Sequence, residues 1–83
     1  MTTFARRLLL WRLLVTATEP LPLVEIARRL GVSKNTAQRD LDALSGAGVP
    51  VLEERIGQRL LFRLEPGGEW SIPGADRTAT RRR

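Results

Sequence analysis

Residues Glu25 to Leu41 read EIARRLGVSKNTAQRDL, and this stretch dictates how the middle of the chain is arranged. Its first part predicts a short helix, in which small Ala27 allows a close helix crossing. Gly31 supplies the left-handed residue that ends such a helix, and Val32 is a small apolar plug in the turn that follows. Ser33 can then cap the start of another helix. Two helices joined by a glycine-containing turn form the helix-turn-helix layout.

The later helix of this pair, expected over about residues 34–45, has one apolar and one polar face. Ala37, Leu41 and Leu44 form the apolar face, which we expect to be buried. The polar side chains are of types that bind DNA, because Asn and Gln pair with adenine edges while Lys and Arg bind guanine or phosphate. They are Lys34, Asn35, Gln38 and Arg39. We therefore expect this helix to read the major groove of double-stranded DNA.

The positions of the acidic residues in the same helix also bear on its partner. Its first two turns contain no acid before Asp40, which favours an anionic partner. Because a carboxylate faces phosphates unfavourably, we interpret Asp40 as an internal ion-pair partner of an arginine such as Arg28 or Arg29. Three arginines of the N-terminal segment have two open interpretations, phosphate contacts or an ordinary solvated face. They are Arg6, Arg7 and Arg12.

The N-terminal segment predicts a further helix, from about Phe4 to Ala17, that Thr2-Thr3 can cap. One of its faces carries an apolar stripe at i, i+4, i+7 spacing, which we expect to be buried. This stripe consists of Phe4, Leu8, Trp11 and Val15. The largely opposite side is apolar as well and carries Leu9, Leu10 and Leu13. Either a later segment of the chain covers this second face or it forms the seam of a homodimer, and both interpretations are open.

Prolines separate this helix from the helix-turn-helix. Pro20-Leu21-Pro22 breaks the chain and restarts it, so the next helix is expected over about Leu23 to Leu30. Its inner face is expected to carry Leu23, Ile26, Ala27 and Leu30. Gly46-Ala47-Gly48 and Pro50 then end the second helix of the pair.

Beyond residue 50 the apolar pattern changes from helical to alternating. Val51 to Ile56 and Arg59 to Leu64 predict two strands, joined by the two-residue turn Gly57-Gln58. The apolar residues expected on one face of this hairpin are Val51, Leu60, Phe62 and Leu64. Arg55 and Arg59 stand beside the tip, where they can reach DNA as a wing. Pairing with the two adjacent strand glutamates is the alternative for both arginines.

The length of 83 residues predicts one domain, residues 1–65, with a mainly α fold of three helices plus a β-hairpin. Residues 66–83 predict a Pro/Gly-rich linker and a basic, disordered tail, from which Trp70 and Ile72 can still dock onto the core. The N-terminal apolar run is interrupted by Arg12 and is far shorter than the roughly 20 residues that span a bilayer. We therefore expect neither an export signal nor membrane association.

Composition narrows the class of function. Fourteen basic and nine acidic residues give a net charge of +5, which suits a nucleic-acid partner. The sequence contains no cysteine and no histidine, which excludes disulfides, thiolate metal sites and imidazole chemistry. Its polar residues cluster on a convex helix, and no nucleophile–base pair stands out. We expect a cytoplasmic protein that is not an enzyme and has no cofactor, metal or small-molecule effector.

Over Leu21 to Leu64 the chain resembles the N-terminal DNA-binding domain of the DeoR-like and WYL-domain bacterial transcription regulators. The resemblance rests on the pattern EIARRLGVSxxTxQRDLDALxxAGVPV of Glu25 to Val51 and on FRLEP at Phe62 to Pro66. It implies a winged helix-turn-helix that regulates transcription. It also implies DNA contacts at Ser33, Lys34, Asn35, Thr36, Gln38 and Arg39.

The chain departs from these families at three places. Pro22 stands where they usually have Ser or Thr, which removes a phosphate contact. Lys34-Asn35 stands where two arginines are common, which affects affinity or target. WYL-domain regulators continue into an effector domain, whereas here EWSIPG, at Glu69 to Gly74, resembles only the start of their linker. The chain is therefore expected to be either a stand-alone regulator or one whose reading frame has lost its sensor.

Two functions compete at this stage. The first is a sequence-specific DNA-binding regulator that acts as a dimer. The second is a winged-helix interaction module that docks a partner protein through its apolar first helix. RNA binding is disfavoured because exposed stacking aromatics are lacking.

Overall fold

The computed structural model describes residues 1–66, which form three helices and a three-stranded antiparallel sheet. The elements in chain order are α1 (Thr3–Thr16), β1 (Leu21–Pro22), α2 (Leu23–Leu30), α3 (Lys34–Gly46), β2 (Val51–Ile56) and β3 (Arg59–Leu64). The strands lie in the order β1-β3-β2. The predicted fold of three helices plus a β-hairpin is confirmed. The predicted linker and tail, including the docking of Trp70 and Ile72, lie outside the described residues.

Helices α1 and α3 start as the sequence predicts, because each is capped by the side chain of the residue before it. The Thr2 hydroxyl accepts a hydrogen bond from the Ala5 N–H at 3.1 Å and begins α1. The Ser33 hydroxyl accepts from the Thr36 N–H at 3.1 Å and begins α3. Such caps satisfy N–H groups that have no partner inside the helix.

Both helices of the helix-turn-helix end in the same way. After α2, Gly31 adopts φ of 71°, and the N–H of Val32 donates to the carbonyl five residues earlier. After α3, Gly48 adopts φ of 107°, and Val49 makes the equivalent bond at 3.0 Å. This is the Schellman arrangement, which needs a residue without a Cβ at the left-handed position. Each glycine thereby turns the chain, and the valine after it packs inward.

The hairpin has the predicted strands and turn. Val51 pairs with Leu64 and Ile56 pairs with Arg59, which leaves Gly57-Gln58 as the connection. Gly57 adopts φ of 64°, a value that glycine allows at low cost. The register places the four predicted apolar residues on one hairpin face.

Strand β1 is the element that the sequence did not predict. Its two residues pair with β3, Leu21 opposite Phe62 and Pro22 opposite Leu61. A proline has no N–H to donate, so it fits at the edge of a sheet, which is where β1 lies. Pro22 therefore ends the edge strand and also stands at the start of α2, without a side-chain cap bond.

The core lies where the three helices meet the inner face of the hairpin. Its buried residues are Leu10, Leu14, Ile26, Ala27, Leu30, Ala37, Leu41 and Phe62. The predicted inner faces of α2 and α3 are confirmed, with partly buried Leu23 and Leu44 packed against this cluster. Phe62 ties the hairpin to the helices, since it is a fully buried aromatic side chain on β3.

The assignment of faces on α1 was wrong. Leu10 has no exposed surface and Leu9 and Leu13 pack against the core, so later segments of the same copy cover this face, which was one of its two open interpretations. The stripe expected in the core is the outer one: Phe4 is 74% exposed and Leu8 is 48% exposed. Because α1 is apolar on both sides, spacing alone could not decide which face the other helices would cover.

Candidate nucleic-acid interface

Helix α3 has two faces with different chemistry. The residues at i, i+3, i+4 and i+7 on its inner side are Ala37, Asp40, Leu41 and Leu44. The same spacing on its outer side gives Asn35, Gln38, Arg39 and Asp42. Because residues at these intervals line one side of a helix, the predicted DNA-contact face points away from the core.

The start of α3 has free backbone donors and no negative side chain. The Ser33 hydroxyl is engaged with Thr36, accepting from its N–H and lying 3.2 Å from its hydroxyl oxygen. No acidic residue occupies the first turn. The remaining N–H groups and the helix dipole therefore favour an anion, such as a phosphate, at this end.

The predicted contact residues of α3 differ in how available they are. Lys34, Asn35 and Arg39 are exposed. Within residues 1–66, no carboxylate lies within ion-pair distance of Lys34 or Arg39. The Gln38 side chain is half-buried, and its amide nitrogen donates to Asp42 at 3.1 Å. This leaves the Gln38 carbonyl oxygen and the second N–H of its amide available for a base edge.

Asp40 is an internal ion-pair residue, as predicted, but its partners are different arginines. Arg6 donates from Nε and Nη2 to the two carboxylate oxygens, at 2.5 and 3.0 Å. Arg7 donates from Nε to Oδ1 at 2.9 Å. The expected partners, Arg28 and Arg29, lie elsewhere, because Asp40 is on the side of α3 that packs against α1.

This carboxylate is fully buried and fully paired. The hydrogen bond from Arg6 is the main reason why the pKa of Asp40 lies below its ordinary value, and Arg7 adds to the effect against the opposing influence of burial. Two of the arginines considered as phosphate contacts, Arg6 and Arg7, thus pair with a buried carboxylate of the fold. The Asp40 carboxylate, which follows Arg39 in the sequence, is therefore neutralised on the inner side of α3, away from the outer face that carries Arg39.

A second arginine cluster lies on α2. Arg28 donates to both oxygens of Glu25, at 3.1 and 2.5 Å, and Arg29 donates to Oε2 at 2.8 Å. These hydrogen bonds, first from Arg28 and then from Arg29, lower the pKa of Glu25 to about 2. The two arginines expected to reach Asp40 therefore satisfy a neighbour on their own helix.

The two arginines of the wing lie on opposite faces of the hairpin. Arg55 pairs in register with Leu60 and Arg59 pairs with Ile56, so their side chains alternate across the sheet. Both are exposed. In the described part of the chain neither is ion-paired with Glu53 or with Glu54, which was the alternative.

A groove of about 280 Å³ connects the wing with the helix-turn-helix. It is lined by Pro22, Leu23, Val24, Lys34, Gln58, Arg59 and Leu60. The groove brings Lys34 and Arg59 together, and it excludes Arg55. Val24, an apolar residue that is 61% exposed, also lines it. Sequence reasoning missed Val24 because nothing in the pattern of α2 places that residue beside the wing.

Other kinds of site are not found among residues 1–66. No group of three or more potential metal-ligating side chains occurs there. None of the helices in this part of the chain has the length and apolar character needed to cross a membrane.

Three helices, a glycine-containing turn before the outward-facing α3 and an adjoining hairpin define the winged helix-turn-helix class. Comparison with known families agrees. The sequence profile of the HTH domain matches residues 6–57, and the chain belongs to this family.

A solved structure extends the comparison. The chain is similar to the homodimeric winged helix-turn-helix DNA-binding domain (fragment 1–100) of Mb0332 from Mycobacterium bovis, described as a possible ArsR-family transcriptional regulator. The identity is 32% and the TM-score is 0.61. The match covers 72% of this chain and 53% of that chain, so the chain spans about half of its neighbour. No curated protein matches the sequence.

Proposed function

We propose that the chain is a DNA-binding transcription regulator that reads the major groove with α3. The observation that carries this proposal is the outer face of that helix. Asn35 and Arg39 are exposed there, and Arg39 has no carboxylate partner among residues 1–66. Asn matches the edge of adenine and Arg matches that of guanine. The HTH family membership supports the same conclusion.

The wing has a positioning role in this proposal. Lys34 and Arg59 line one groove, and both are cationic, so together they suit a phosphate of the DNA backbone. Arg55 lies on the other hairpin face and contacts a different part of the DNA. Ser33 caps α3 through the N–H of Thr36, and the remaining free N–H groups of this helix end suit a second phosphate.

The finer assignment follows the sequence resemblance. We place the chain with the DeoR-like and WYL-domain regulators of bacteria, on the pattern at Glu25 to Val51. Residues 1–65 are the DNA-binding domain and residues 66–83 are a linker and basic tail. The role is regulatory and not enzymatic, and it is exercised on DNA in the cytoplasm.

The functional unit in this proposal is a homodimer. Support comes from the Mycobacterium bovis domain, which is homodimeric. A two-fold dimer would set two recognition helices about 34 Å apart, on successive major grooves of one DNA face. The target is then a palindromic pair of half-sites.

Fluorescence anisotropy of a labelled duplex tests this proposal, with targets first enriched from a random pool. Arg39→Ala is expected to weaken binding about tenfold or more, since a base-edge arginine contributes about 1–3 kcal/mol. Arg12→Ala is the matched control, because it removes an exposed arginine from α1. Equal losses in the two variants, at low and at high salt, would reduce the interaction to generic attraction of charge and contradict the assignment of α3.

A further inference from the structure

An apolar surface lies on the outer side of α1, next to the C-terminal half of α3. Phe4, Arg7, Leu8 and Trp11 border a groove of about 330 Å³, and apart from the Arg7 guanidinium, which is bonded to Asp40, its walls are almost wholly apolar. The opposite wall is formed by Ala43, Leu44, Ala47 and Val49. We call this surface, with its two walls, the α1–α3 groove.

The spacing on α1 indicates what kind of partner fits. Phe4, Leu8, Trp11 and Val15 follow each other at intervals of four, three and four residues. Intervals of this kind form the seam along which one helix packs against another. The inner face of α1 already has its partners in the core, whereas three residues of the outer stripe are exposed in a single copy. The stripe therefore has the spacing of a helix-packing face, and a helix of another molecule can pack against it.

The surface is complementary to itself. Phe4 projects from α1 beside the hollow, and the small side chains of Ala43 and Ala47 keep the α3 wall low. Under a two-fold axis each copy presents the same patch, so the projecting ring of one copy can enter the hollow of the other. Because the projecting Phe4 ring and the hollow beside Ala43 and Ala47 lie on the same surface, a second copy of the chain fits better than an unrelated partner.

The area is sufficient for the centre of a dimer interface. A buried aromatic side chain covers about 150–250 Å², and most of this area of Phe4 is exposed. With Leu8 and Val15 of the same stripe added, the exposed apolar area is roughly 300 Å² per copy, against about 800 Å² per partner in a standard interface. A polar rim, which most interfaces have, supplies the remainder.

The groove and the DNA-contact face occupy different parts of α3. The groove uses Ala43 and Leu44, in the last turns of this helix, whereas Asn35 and Arg39 lie nearer its start and on another side. A partner in the groove therefore leaves the DNA-contact side chains uncovered.

We propose that a second copy of the chain occupies the α1–α3 groove, forming a two-fold dimer through the outer stripe of α1. The role of this dimer, presenting two α3 helices to one DNA site, rests on the proposed function. This seam lies on the opposite side of α1 from Leu9, Leu10 and Leu13, the face for which the sequence left a dimer seam as one of two interpretations.

Sedimentation equilibrium on the full chain tests the proposal. Leu8→Glu and Phe4→Glu place a charge in the seam, and both are expected to weaken dimerisation at least tenfold. Ile56→Glu is the matched control, because it places the same charge at an exposed apolar position of the hairpin that lines neither groove, and it is expected to dimerise like the wild type. Phe4 is mostly exposed, so its variant is expected to keep the helix content of the wild type by circular dichroism.

Two outcomes would overturn the proposal. A monomeric wild type would do so, whether the groove is then open, covered by residues 67–83 or reserved for another protein. Dimerisation of both glutamate variants at wild-type strength would do so as well. Binding to a duplex with a single half-site separates this inference from the proposed function. If the Leu8→Glu chain is folded and monomeric but binds no half-site, DNA reading by α3 is contradicted, whereas the dimer proposal still stands. Arg39-dependent binding by a monomeric wild type contradicts the dimer, here and in the proposed function, and leaves DNA reading by α3 standing.

Discussion

Two carboxylates of the chain each form ion pairs with two arginines, but they differ in burial and in the sequence separation from their partners. Asp40 is fully buried and joins α3 to α1, across 34 residues from Arg6. Glu25 is partly exposed and is bonded to arginines three and four residues later on the same helix. The comparison separates what an ion pair does for a tertiary fold from what it does for a single helix.

Burial makes the Asp40 cluster expensive to break. An ion removed from water must have its partners in place, and loss of one partner leaves the others without compensation. Arg6 and Arg7 retain some access to water, at 17% and 38% side-chain exposure, which moderates the penalty. Glu25 and its arginines form a cluster of the kind found on helix surfaces, where screening by water and salt keeps such pairs weak.

The largest expected effect is that of Asp40→Asn. The amide keeps the size of the side chain but removes the charge and turns donors toward two guanidinium groups. We expect a loss of about 3 kcal/mol of unfolding free energy, at the lower end for a buried ion pair because the arginines can reach water. A core of this size supplies only about 3–5 kcal/mol in all, so the variant should be close to unfolding at 25 °C. Urea unfolding followed by circular dichroism measures it, and an unchanged midpoint would contradict the assigned role.

A smaller expected effect of the same carboxyl group is on how the unfolding free energy depends on pH in the acid range. The pKa of Asp40 is lower in the folded chain than its ordinary value of 3.8. Such a group stabilises the fold above its unfolded pKa, and this contribution is lost as the pH falls through the folded pKa. The difference in unfolding free energy between wild type and Asp40→Asn should therefore be constant above about pH 5 and shrink below about pH 4. A difference that stays constant to pH 2.5 would show that Asp40 does not titrate in this way.

The same comparison explains which features could be predicted from sequence. The caps at Thr2 and Ser33, the glycine at position 31 and the Gly57-Gln58 turn were all predictable, since each depends on residues within a few positions along the chain. The outer face of α3 was equally readable from its spacing. By contrast, the arginine partners of Asp40 depend on how α1 crosses α3, and no local pattern contains that information.

Two further misses have the same physical origin. On α1 both faces are apolar, so the choice between Leu10 and Leu8 was made by the elements that pack against the helix. The groove that joins Lys34 to Arg59 depends on the wing lying against the start of α2, where the two-residue strand β1 is bonded to β3. Long-range juxtaposition, and not helix or strand propensity, was the missing information.

The smallest expected effect is that of Glu25→Gln, the isosteric counterpart of Asp40→Asn. It removes a carboxylate whose pKa is lowered to about 2, from a position that water reaches. This lowered pKa alone would suggest a large penalty, but the freed Arg28 and Arg29 are exposed and regain their hydration at once. We therefore expect the urea midpoint to change by less than the spread between repeat measurements. Added salt should remove any remaining difference in midpoint between the variant and the wild type. A loss comparable to that of Asp40→Asn would mean that pairing on α2, and not burial beneath α3, decides how much a carboxylate stabilises this fold.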